Sequence, residues 1–268
     1  MTSKKLLVED AIASLHSLKS TQSNPDILSK FPGAGVLKEA GVFTADKPKW
    51  VVEAREQIQK ILTPTQFASL QNVGMLNQHF TQPAVISEMW NFTFEFTGYK
   101  PVKVLDPGCG TAGFYRHCPH QHLVHYVGVE LDETTAQIAN KANGVQLNYQ
   151  IYCNDFLQWN YPELFDVCIG NVPFVNGVKK VVLDDKRVRL GLHAQFFIKT
   201  LGHLAPGGLL LFLTSTNTLD SVGEDYIKFR EWVRDRAEFL GAIRLPSDSS
   251  IHVGGTEVTT DLVILQKR

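Results

Sequence analysis

The sequence predicts an α/β fold, a seven-stranded and mostly parallel sheet with helices on both faces, behind an N-terminal helical extension. Three observations carry that prediction. From Val102 onward short, continuous apolar runs alternate with helical patterns, as parallel strands covered on both faces require. Before that point the apolar residues recur at helical spacing. The chain has 268 residues, 44% of them hydrophobic, enough to bury one large core with a helical appendage. The division falls at residues 1–98 and 99–268.

In the first part, Trp50, Val51, Ala54, Ile58 and Ile61 form one apolar helical stripe. Thr63-Pro64-Thr65-Gln66 has the form of a capping box with proline at the first helical position, so a new helix is expected there. Pro83 opens another, through Val85, Ile86, Met89 and Trp90. The glycines of Phe31–Phe43 suggest turns. In the second part, strands are expected at 102–106, 124–130, 147–153, 165–170, 209–214, 239–245 and 258–265, the first five parallel and the last two close enough to pair antiparallel.

A net charge of −1 and a pI near 6.8 argue against a protein sheathed in positive charge for non-specific nucleic-acid binding, and leave room for a local basic face. Cys109, Cys118, Cys153 and Cys168 show no paired spacing and read as reduced thiols. The amino terminus is no apolar signal core, and the longest apolar run, Gly207 to Leu213, is too short for a bilayer. A cytoplasmic protein with no membrane association is expected.

Chemistry concentrates at strand ends. Val104-Leu-Asp-Pro-Gly-Cys-Gly-Thr-Ala-Gly-Phe114 is a strand closing in Asp106, followed by Gly108, Gly110 and small residues leading into a helix, where backbone can approach a ligand closely. Twenty residues after Gly110 the next strand closes in Glu130, a position suited to ribose hydroxyls. A nucleoside cofactor follows from the pair. Asp155 and Phe156, after the third strand, suit an adenine amino group and ring. After the fourth come Asn171, Val172, Pro173 and Phe174: the Asn171 amide oxygen and the Val172 or Pro173 carbonyl can accept from one amino group, while Phe174 stacks on the ring bearing it.

The ordered set DPGCG, VELD, NDF and NVPF resembles the amino-group DNA methyltransferases, whose signature tetrapeptide is Asn/Asp/Ser-Pro-Pro-Tyr/Phe. More narrowly, FPGAGVL, LTPTQFASLQNVGMLNQHFTQPAVISEMW, AEFLGAIRLP and GTEVTTDLVILQKR resemble the adenine methylase domain of phage and mobile-element helicase–methylase polyproteins, including DarB-like antirestriction proteins. The likeness implies a Rossmann-like class I methyltransferase that uses S-adenosylmethionine, releases S-adenosylhomocysteine and methylates the N6 amine of adenine in DNA, in a restriction–modification or antirestriction setting. It implies that residues 1–98 complete the cofactor pocket of a catalytic domain at 99–268, with Phe80 and Thr81 over the methionine part, in a γ-like motif order.

Asn171, Pro173 and Phe174 are then the catalytic residues. The cofactor residues are Phe80, Thr81, Asp106, Gly108, Gly110, Glu130, Asp155 and Phe156. Asn171, Val172, Phe174, Lys179 and Lys180 face the substrate, the lysines belonging to a basic stretch, Lys179 to Arg189, that contacts phosphates or is a solvated loop. A separate specificity or helicase-like subunit is the implied partner.

Three features depart from the family pattern. Ala112 replaces a loop glycine, which is tolerable unless positive φ is needed there. Val172 replaces the first proline. The chain ends soon after the final strand, with no target-recognition domain visible. An N5-glutamine protein methyltransferase, an RNA adenine methyltransferase and a catalytically silent subunit of a larger assembly remain open. His117, Cys118, His120, His122 and His125 crowd one stretch without matching a zinc spacing, so no metal is expected.

Overall fold

A computed structural model describes residues 3–44, 47–74, 81–144, 146–173, 178–245 and 259–268. The N-terminal part supplies α1 (Ser3–Lys19), α2 (Pro25–Leu28), α3 (Ala34–Glu39), α4 (Lys49–Ile61), α5 (Pro64–Gly74) and α6 (Pro83–Thr97). The strands are β1 (Val102–Pro107), β2 (Val124–Glu130), β3 (Tyr149–Cys153), β4 (Phe165–Asn171), β5 (Val178–Leu183), β6 (Lys186–Gly191), β7 (Leu204–Ser215), β8 (Ala237–Leu245) and β9 (Thr260–Lys267). Among them run α7 (Gly113–Arg116), α8 (Glu133–Asn143), α9 (Leu192–Leu201), α10 (Asn217–Asp220) and α11 (Glu224–Arg234).

Seven strands form one sheet in the order β3-β2-β1-β4-β7-β9-β8. The five from β3 to β7 are parallel, and β9 runs antiparallel to both its neighbours. The period-2 alternation of a strand divides the core in two. Val104, Ile169, Leu211 and Ile264 face a layer built from α6, α7 and α8, while Leu105, Cys168, Leu210, Phe212 and Val263 face α9 and α11. The apolar runs are continuous because both faces are covered.

The stripe on α4 packs against α1, α2 and α3 in a third core, which reaches Ile138 on α8. The capping box forms as expected: Gln66 N–H donates to Thr63 Oγ1 and Thr63 N–H to Gln66 Oε1, each at 3.2 Å. In packing, α6 belongs with the sheet. Its Trp90 is fully buried and donates from Nε1 to the Phe114 carbonyl at 2.8 Å.

Some elements differ from expectation. The stretch read as turns contains α3, framed by Gly33 and Gly41 at φ +93° and +86°, so the glycines mark its ends. Leu147 is fully exposed and β3 begins two residues later. The basic segment read as a loop is an antiparallel hairpin, β5–β6, turning at Asp184 and Asp185. Asp184 there has φ +54°, the left-handed conformation tight hairpins demand. Val258 lies outside the described residues.

Candidate active site

Chain order reverses between β1 and β4: β2 and β3 lie to one side of β1, and β4 pairs on the other. At such a switch point the loops leaving adjacent strands diverge and open a crevice at the carboxyl ends. A cavity of about 340 Å³ lies there, within the range of small-molecule sites. Thr81, Gly108, Gly110, Glu130, Asp155, Phe156, Asn171, Val172, Pro173 and Lys179 all line it.

The loop after β1 is tied down by main-chain bonds. Gly108 N–H and Cys109 N–H both donate to the Val129 carbonyl, at 2.7 and 3.0 Å. Gly108 and Gly110 adopt φ +78° and +56°, and a Cβ at Gly108 would stand 3.8 Å from Phe196 and 3.9 Å from Pro173, inside the cavity. Ala112 also has φ +56°. This is the condition under which alanine is costly, about 1–2 kcal/mol in the left-handed region. The helix that follows, α7, is a single turn of four residues.

Glu130 fastens this loop to the end of β2. Its Oε2 accepts from Gly110 N–H and its Oε1 from Asp132 N–H, both at 2.9 Å. Burial pushes its carboxyl up to about 7, against the pull of the Asp132 amide bond and with the Asp132 charge adding to the rise. Asp106 is placed differently from the expectation of a cofactor contact. It is fully buried beneath the loop, off the cavity wall, and accepts from the Tyr126 hydroxyl. The other oxygen, Oδ1, has no partner among the described residues and sits where a Cβ on Gly170 would come within 2.8 Å. Burial raises it to about 7; the Tyr126 bond opposes the shift and the nearby Glu130 charge adds to it. Glycine at 170 leaves room for that carboxyl.

Asn171 ends β4, and its Nδ2 donates to Thr81 Oγ1 at 3.2 Å. Thr81 is buried and stands two residues before α6. Val172 is also fully buried, its N–H donating to the Leu213 carbonyl at 3.1 Å, so main chain is what it can offer a ligand. Phe156 is buried against Phe196, ring centroids 5.0 Å apart, whereas Asp155 is exposed and accepts Leu157 N–H at 2.9 Å. Lys179 lines the cavity; Lys180, on the opposite face of β5, does not. Phe80 and Phe174 lie outside the described residues.

Sequence reasoning missed Ser29, Arg116, His117, Leu192 and Phe196, which also line the cavity. In the sequence His117 belongs to a histidine-rich run; its place directly after the single-turn α7 brings it to the cavity instead. Burial, then the Arg116 charge, lower its pKa. Among the described residues no cluster of three or more His, Cys, Asp or Glu side chains is set to hold a metal ion, and no helix is long and apolar enough to cross a membrane.

No protein-family model matches the chain. It is 26% identical over 183 residues to Type II methyltransferase M.CvrRI of Paramecium bursaria Chlorella virus XZ-6E, covering 66% of this chain and 46% of that protein. To Type II methyltransferase M.TthHB8I of Thermus thermophilus it is 28% identical over 163 residues, 53% of this chain and 36% of that protein. The chain spans less than half the length of these curated relatives. A solved structure from Listeria monocytogenes, assigned as a class I S-adenosylmethionine-dependent methyltransferase, is similar with a TM-score of 0.60 over 98% of this chain and 88% of its own, at 17% identity. The fold is that of the Rossmann-like class I S-adenosylmethionine-dependent methyltransferases.

Proposed function

We propose that this chain transfers a methyl group from S-adenosylmethionine to the N6 amine of adenine in DNA. One observation carries the reading: a single cavity joins the glycine loop and Glu130 to Asn171, Val172 and Pro173. The residues suit the cofactor. Positive φ at Gly108 and Gly110 lays bare backbone along the wall, and a side chain at 108 would intrude on the space a nucleoside needs. Bound there, S-adenosylmethionine supplies an electrophilic methyl group and leaves as S-adenosylhomocysteine.

The protein's part is orientation. Glu130 takes the ribose hydroxyls, Asp155 the adenine amine, and Phe156 one face of the purine. Thr81 and Phe80 close over the methionine end. With Nδ2 turned toward Thr81, the carbonyl oxygen of Asn171 becomes its acceptor for the target amine. A second acceptor from the Val172 or Pro173 carbonyl frees the nitrogen lone pair from ring conjugation and stabilises positive charge as the new bond forms. The surplus proton then leaves to solvent. A base in duplex DNA has to swing out of the stack, with Phe174 replacing the stacking given up.

The hairpin favours nucleic acid over a peptide glutamine. Lys180 lies directly opposite Arg189, and Val182 opposite Arg187, on the exposed face of β5–β6. Like charges facing across a strand pair are unfavourable until a counter-charge arrives, and phosphates supply it. The relatives named Type II methyltransferases agree. Within that class we place the chain beside the methylase domains of phage and mobile-element helicase–methylase proteins, acting with a separate specificity or helicase-like subunit. The test is tritiated methyl transfer onto pools of DNA, RNA and protein. Label in DNA is expected; label confined to protein or RNA overturns the substrate assignment, and none in any pool overturns the activity.

A further inference from the structure

Arg116, the last residue of α7, lines the cavity where the N-terminal helices meet the glycine loop. Its guanidinium bridges the two. Nη1 donates to the Ser29 carbonyl at 3.1 Å; Nη2 donates to the Thr111 carbonyl at 2.6 Å and the Thr111 hydroxyl at 3.3 Å. All these partners are neutral. Nε is buried and has no hydrogen-bond partner, and no carboxylate forms an ion pair with Arg116, among the described residues. A partly buried cation with only neutral partners is a charge awaiting its complement, and a carboxylate supplies it.

The glycine loop is gripped at two neighbouring residues, by a carboxyl on one side and a guanidinium on the other. Glu130 holds the Gly110 amide, and Arg116 holds the Thr111 carbonyl. A ligand lying across the loop meets a hydroxyl acceptor on one side and a cation on the other. Lys179, the other basic side chain in the wall besides His117, comes from the hairpin beyond β4. From this arrangement we infer that Arg116 anchors the carboxylate at the amino-acid end of the cofactor, which rests on the cofactor reading above. The anchor would pin that end against Ser29 and fix where the reactive centre falls relative to Asn171.

The test is calorimetry with two probes, S-adenosylhomocysteine and 5′-methylthioadenosine, which lacks the amino-acid end. The Arg116→Gln variant is expected to bind S-adenosylhomocysteine about 10- to 100-fold more weakly, the scale of one charge-assisted bond, and 5′-methylthioadenosine within about twofold of wild type. Arg116→Lys, which keeps the charge but not the fork, is expected to fall between the two. Unchanged S-adenosylhomocysteine binding overturns the inference. So does an equal weakening for both probes, which would make Arg116 a brace for the loop alone. A wild-type protein that binds neither probe overturns the cofactor reading, and the inference with it.

Discussion

The Asn171 carboxamide at the end of β4 donates to the hydroxyl of Thr81 at 3.2 Å, joining the sheet to the segment that leads into α6. In this orientation the amide nitrogen, not its oxygen, is the atom on Thr81. Thr81→Val removes this hydroxyl at nearly constant volume and with it the bond that holds the Asn171 carboxamide to the segment before α6. We expect kcat to fall about 3- to 10-fold, the worth of one hydrogen bond, with Thr81→Ser keeping most of the activity. Steady-state methyl transfer checks this. Equal kcat for Val and wild type would show that the bond orients nothing.

The buried carboxyls predict a pH signature. Glu130 titrates near 7 instead of 4.5 and Asp106 near 7 instead of 3.8, both chiefly through burial. The folded chain thus keeps protons that the unfolded chain gives up. The stability these groups contribute is complete below about pH 4 and is lost as pH rises through about 7. The thermal midpoint of ligand-free protein should therefore fall over that window. On the proposed function, ribose hydroxyls donate to Glu130 and favour its charged form, so S-adenosylhomocysteine binding below about pH 7 should release a proton. Calorimetry in buffers of different ionisation enthalpy measures it, and Glu130→Gln should abolish it. Proton uptake on binding would contradict the assignment.

The hairpin predicts a trade between stability and substrate binding. Arg189→Glu turns the Lys180–Arg189 pair from repulsive to attractive, a gain of about 0.2–1 kcal/mol. The same change raises KM for DNA and lowers the slope of log KM against log salt by about 1 for each phosphate that is no longer neutralised. Thermal denaturation and salt-dependent kinetics read the two effects. An unaltered salt slope would return the hairpin to an ordinary solvated surface.

Gly108→Ala places a side chain at φ +78°, a strain of about 1–2 kcal/mol, with its Cβ pointing toward Phe196 and Pro173. A lowered thermal midpoint and a cofactor affinity weakened about tenfold or more are expected. Retained affinity would mean that the ligand does not pass over this residue.

The sheet was legible because burial on both faces leaves an uninterrupted apolar run, so β2 was placed to the residue. The capping box at Thr63 was legible because its chemistry is local. The hairpin was not, since lysines and arginines on its open face mask the alternation Val181, Leu183, then Val188, Leu190 that buries its other face. At the site, residue types at strand ends pointed to Glu130 and Asn171, and both line the cavity. Asp106 carries the same residue type near a strand end yet sits beneath the loop, because successive side chains point into alternate layers. Arg116 gave no local signal. Its position depends on α7 stopping after one turn and on Ser29, 87 residues earlier, coming to meet it.

The most direct measurement uses a trideuteromethyl donor with duplex DNA, digestion to nucleosides and mass spectrometry, for wild type and Asn171→Ala. Heavy N6-methyl deoxyadenosine should appear with wild type and drop about 100-fold or more with the variant, while the variant binds S-adenosylhomocysteine as tightly as wild type. Unmodified adenine with the wild-type protein, or undiminished product from Asn171→Ala, would contradict the account.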